Sequence, residues 1–128
     1  MTNFEYLKAK PEFAAFADAA VDAEKSLSVS PKTCALSCRA AAEAAVKWLY
    51  DNDVNLKLPY KDNLSALIYN QSFIETVNSN IQESLRYVVK LGNLSAHTGK
   101  SIEYREAVLA LRHLFAFTSF IDYCYGSI

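Results

Sequence analysis

Gly99-Lys100-Ser101 has the residue types that close a phosphate-binding loop. That chemistry needs G-x-x-x-x-G-K-[ST] between a strand and a helix, so that backbone N–H groups and the lysine converge on one phosphate. Counting back from Gly99, the first glycine should be residue 94, and that residue is Leu94. Gly92 falls two positions too early, and the preceding "ESLRYVVK" reads as helix rather than strand. The spacing therefore argues against a nucleotide loop. Cys34 and Cys38 stand one helical turn apart and could touch one metal ion, but no C-x-x-C pair or histidine cluster joins them. An odd count of three cysteines (Cys34, Cys38, Cys124) without framework spacing reads as reduced core thiols of a cytoplasmic protein, with no metal.

The two histidines are the remaining proton-transfer candidates. His113 lies beside Leu109 and Phe117 at helical spacing and reads as a structural edge residue. His97 falls where one helix ends and the next begins, with Asn93 four residues before it. Both could bond to helix termini or to inward charges such as Glu24 and Arg39. There is no nucleophile elbow, no H-E-x-x-H and no nuclease core of paired acids followed by E-x-K.

Helices must position these residues. The chain of 128 residues supports one domain, 1–128, with one core. Much alanine and three glycines favour helix. A formal net charge of −1 supplies no global field toward DNA or an anionic membrane. The lysines at 8, 10, 25, 32, 47, 57 and 61 are scattered among acids, as on a solvated surface. The N-terminus has no signal-peptide pattern, and no apolar run approaches the roughly 20 residues of a membrane span.

Pro11 can open a first helix whose stripe is Phe13, Phe16, Ala17, Ala20 and Leu27. At about 100° per residue Glu24 falls inside that stripe, so its carboxylate needs a partner or a shifted pKa. Ser30-Pro31 starts a second helix, to about Tyr50, that buries Cys34, Cys38, Ala41, Ala42, Ala45, Trp48 and Leu49. Arg39 stands at the border of its buried face, one turn before Glu43. After the loop "DNDVNLKLPYKDN" come a short helix around Leu64 to Tyr69 and another from about Thr76 to Leu91. The last helix runs from near Ser101 to about Tyr125 and carries two stripes, Ala107, Leu111, Leu114, Thr118, Ile121 and Tyr125 on one side and Leu109, Ala116, Phe120 and Cys124 on another. Two stripes mean a helix central to the bundle or a second stripe covered by a partner, and the central position is expected. The fold class is all-α, a compact bundle of about five helices with a long C-terminal helix as its spine.

Several segments, taken in order, resemble one family. They are "NFEYLKAKPEF", "AAVDAEKSL", "SPKTCALSCRAAAEAAVKWLY", "GNLSAH" and "REAVLALRHLFAF" followed by a late tyrosine. This set is similar to the N-terminal helical domain of type I restriction enzyme R subunits, a HEPN-like domain. The resemblance implies that Glu24, Arg39, Glu43, Asn93 and His97 are the family's signature polar positions. They are expected to form one buried or half-buried network across three helices, in which Arg39 neutralises Glu24. It further implies a longer parent chain, an ATP- and Mg-dependent motor and nuclease that restricts foreign DNA. The domain itself is expected to need no cofactor and to perform no chemistry. Its implied partners are methyltransferase and specificity subunits or downstream domains of the same chain, with DNA reached through the parent. A homodimer through the C-terminal helix is the other partner expectation.

The wider HEPN superfamily contains ribonucleases that use an arginine and a histidine on one helix. Here Val89 and Lys90 stand where that arginine is usual, so the alternative is a ribonuclease or toxin-type site made of Lys90 and His97.

Overall fold

The computed structural model describes residues 3–97 and 101–126, apart from the side chain of His97. Gly99 and Lys100 lie outside the described residues. All regular structure among the described residues is helical. Six α-helices follow one another among the described residues: α1 (Ala14–Lys25), α2 (Pro31–Asn52), α3 (Leu64–Tyr69), α4 (Gln71–Thr76), α5 (Ser79–His97) and α6 (Tyr104–Tyr125). Short 3-10 turns at Glu5–Ala9, Pro11–Phe13 and Ser26–Ser28 lead into or out of α1. The all-α bundle is as expected, with one more helix than the five foreseen. Asn70 and Val77 adopt extended dihedrals on either side of Gln71–Thr76, which isolates α4 as its own element.

α2 occupies the centre and packs on α1, α5 and α6. Its start is fixed by Ser30, whose Oγ accepts from the Thr33 N–H at 3.0 Å, with Pro31 following. Small side chains, Cys34, Cys38, Ala41, Ala42 and Ala45, are buried along it and let three helices approach closely. Phe13 just before α1 and Phe16, Ala17 and Ala20 within it join the core, and α5 adds Ile81, Leu85 and Val88.

α6 is not the central helix that its two stripes suggest. Ala107, Leu111, Leu114, Thr118 and Ile121 are buried against the bundle. Of the second stripe, Leu109, Ala116 and Cys124 are exposed. α2 takes the centre because its alanines and cysteines admit neighbours on several sides, whereas Leu109 and Cys124 of α6 are exposed. Cys124 is accordingly a surface thiol rather than a core one. α6 begins later than expected, because Glu103 caps it: the Glu103 N–H donates to Glu106 Oε1 at 2.9 Å in a reciprocal capping box. By length and composition alone α6 could cross a membrane, with mean hydropathy 1.2 in its most apolar window. Arg112 and Asp122 interrupt it, so it is not an unbroken apolar run, and part of its apolarity lies in the face buried on α2 and α5.

The N-terminal segment is sewn onto the bundle. Phe4 and Leu7 are buried. Tyr6 Oη shares a hydrogen bond with Thr118 Oγ1 at 3.0 Å, and Lys10 pairs with Asp122. Just past the C-terminal end of α2, Tyr125 O–H donates to Asp53 Oδ2 at 2.6 Å.

Candidate functional site

Among the described residues, Glu24, Arg39, Glu43 and Asn93 do not assemble as one cluster. Glu24 lies in the last turn of α1 and is half-buried. Its Oε1 accepts from the Asn3 backbone N–H at 2.9 Å. It borders a cavity of about 400 Å3 between the N-terminal segment and α6, together with Phe4, Tyr104, Leu111, Arg112 and Phe115. No ion pair joins it to Arg39 among the described residues. The helical wheel correctly turned Glu24 toward its neighbours. The wheel could not show that the chain folds back here and offers a backbone donor.

Arg39 instead lies across the contact of α2 with α5. A Cβ added at Gly92 would stand 2.6 Å from Arg39 Cβ and 2.7 Å from its Cδ, so the aliphatic stem rests directly on the glycine. Arg39 Nε is buried there without a hydrogen-bond partner. Glu43 turns outward and pairs with Lys47 Nζ at 3.0 Å, one turn along the same helix. That pair raises the Lys47 pKa, first through the hydrogen bond to Glu43.

Asn93 and Lys90 do come together. They share a groove of about 520 Å3 between α3 and α5 with Ser65, Tyr69, Arg86 and Leu94. The Arg86 guanidinium lies over the Tyr69 ring, 5.3 Å from its centroid. His97 is the last residue of α5, and its side chain lies outside the described residues. Arg86 stands one turn before Lys90 on α5. The sequence did not mark Arg86, Ser65 or Tyr69 as groove residues, because nothing local says which face of α5 the short α3 covers.

Two further polar clusters are structural. His113 Nδ1 and Ser84 Oγ share a hydrogen bond of 3.0 Å, and the imidazole packs on the Tyr87 ring at 4.9 Å. Burial holds its pKa below the ordinary 6.5. Cys34 and Cys38 are fully buried. A hydrogen bond from the Cys38 thiol lowers Cys34, against the opposing effects of burial and the Glu24 charge. The same bond and burial push Cys38 up, so neither sulfur is both ionised and reachable. Among the described residues no group of three or more His, Cys, Asp or Glu could hold a metal ion.

A family model described as a domain of unknown function, DUF4145, matches residues 21–125. The chain belongs to the DUF4145 family. No curated protein and no solved structure matches it significantly. The DUF4145 region takes in the α2–α5 crossing and the α3–α5 groove, and it excludes the N-terminal segment that covers α6.

Proposed function

We propose that this DUF4145 domain is a non-catalytic assembly domain at the N-terminus of a type I restriction enzyme R subunit, in a cytoplasmic defence system. The parent chain would carry the ATP- and Mg-dependent DNA translocation and cleavage, and this domain would dock it onto methyltransferase and specificity subunits. The observation that carries an assembly role is the uncovered apolar strip of α6. Leu109 is 42% exposed and Tyr123 91% exposed, with exposed Ala116 between them at a spacing of seven residues. A helix of the core keeps such a strip open to water at a solvation cost unless a partner covers it. The ordered motifs from Asn3 to the late tyrosine support the restriction-enzyme parent. The placement of Glu24, Arg39 and Glu43 supports the lack of chemistry, because each is engaged in capping, packing or a surface pair rather than turned together into one cleft.

The test is made in the full-length parent. Leu109→Asp with Tyr123→Ser should leave the melting temperature of the domain within the range of ordinary surface changes, about ±0.5 kcal/mol. The same variant should fail to co-purify with the methyltransferase and specificity subunits. Normal co-purification would remove the assembly reading, and concentration-dependent self-association lost in the variant would replace it with a homodimer through α6. A reading frame that stops at Ile128 would remove the restriction parent.

The ribonuclease alternative draws on one observation, that Lys90 and Asn93 line one groove on the helix that ends at His97. RNA cleavage by the wild type that vanishes in His97→Ala would establish it in place of the assembly reading.

A further inference from the structure

Among the described residues, the α3–α5 groove is lined by two cations and no carboxylate. Arg86 and Lys90 form no ion pair among the described residues, and the Asn93 amide and Ser65 hydroxyl have no hydrogen-bond partner there. Its base is apolar, formed by Val89, Leu94 and the half-exposed ring of Tyr69. Arg86 is held against that ring. A guanidinium already stacked on an aromatic loses less freedom when it takes up an acceptor, so this rim is prepared for an anion. Nearby carboxylates are committed elsewhere or lie off the groove: Glu106 closes the α6 capping box, and Glu83 is exposed one turn before Arg86.

We propose that this groove docks an acidic-apolar segment of a partner protein. One aliphatic or aromatic side chain of that segment sits on Val89, Leu94 and Tyr69. Its flanking carboxylates meet Arg86 and Lys90, with the Asn93 amide as a further donor. Arg86 and Lys90 stand one helical turn apart, which fits carboxylates on one face of a short segment. A phosphodiester strand fits less well. It needs a basic track that continues along its backbone, and here Glu83 interrupts the track one turn before Arg86, on a molecule of net charge −1. This inference rests on the assembly reading and names a second contact surface for it, on a different face from the α6 strip.

The experiment is a fluorescence-anisotropy titration of the whole chain with a labelled peptide that alternates aspartate and leucine. Saturable binding is expected, weakened by added salt. Arg86→Glu with Lys90→Glu should weaken it by about tenfold or more, whereas the control Lys32→Glu on α2 should not change it. Both variants are checked by thermal melting, and peak shifts in an amide NMR titration should concentrate on α3 and α5. Equal binding by the reversed variant, or no binding by the wild type, overturns the proposal. So does a single-stranded oligonucleotide of matched charge that binds more tightly than the peptide. In the full-length parent the two surfaces are separable. If Leu109→Asp abolishes subunit assembly and Arg86→Glu with Lys90→Glu does not weaken it, the groove proposal fails and the assembly reading stands.

Discussion

His113 shows how one side chain sets a condition on the fold. Its imidazole is held by Ser84 Oγ and the Tyr87 ring, and burial favours its neutral form. The unfolded chain then binds a proton more readily than the folded one as pH drops below the ordinary value of 6.5. The folded-state pKa is depressed, so this contribution is fully present above pH 6.5 and is lost as pH falls through the folded value. Chemical denaturation at a series of pH values should therefore show stability falling through that window. In His113→Gln the fall should be shallower. An unchanged slope in the variant would show that other groups govern the acid limb. The sequence placed His113 at a helix edge correctly, since its neighbours at helical spacing are apolar. The Ser84 contact crosses from α5 to α6 and has no local signature.

At the scale of elements the decisive contact is α2 on α5. Gly92 stands inside a helix, where glycine ordinarily costs about 1 kcal/mol relative to alanine. Here the missing Cβ is what lets Arg39 lie down at the crossing, since a Cβ at residue 92 would stand only 2.6 Å from Arg39 Cβ. Gly92→Ala should thus destabilise the protein by about 1–3 kcal/mol despite its better helix propensity, as read from urea denaturation. The loss should persist in an Arg39→Ala background, because alanine keeps the Cβ that meets the added methyl. Arg39→Ala alone should cost about 1 kcal/mol or less, since it removes stem packing but also an unpartnered buried Nε. An Arg39–Glu24 ion pair would instead have made that substitution costly, about 2–4 kcal/mol, by stranding a carboxylate. A large loss in Arg39→Ala would therefore argue for a coupling that the static geometry does not contain.

Across the whole molecule, the N-terminal segment and the end of α6 close the bundle. Phe4 is buried and meets Phe115 edge-on at 5.7 Å, Tyr6 bonds to Thr118, and Lys10 pairs with Asp122. None of these N-terminal residues falls within the family match at 21–125, yet they cover one side of α6. Phe4→Ala should cost about 3–5 kcal/mol, in the range of other buried phenylalanine deletions. That is a large share of the stability of a domain this size, and it should appear as a clear drop in melting temperature. A change under about 1 kcal/mol would mean that the segment is not part of the cooperative unit.

Sequence alone determined the helices, their order and most of their buried faces. Those properties are local: a stripe at 3.6-residue spacing, the Ser30-Pro31 start and the loop after Asn52 are written within a few residues of where they act. It also argues against a phosphate loop at Gly99-Lys100-Ser101, because that site depends on a fixed count. Tertiary structure decided which helix is central, where the charges of Glu24 and Arg39 are spent, and which face of α5 is left open beside α3. These depend on contacts between residues far apart in the chain. A helical wheel shows that a side chain turns inward, but only the packed neighbours show whether it meets a backbone amide, a glycine or an opposite charge.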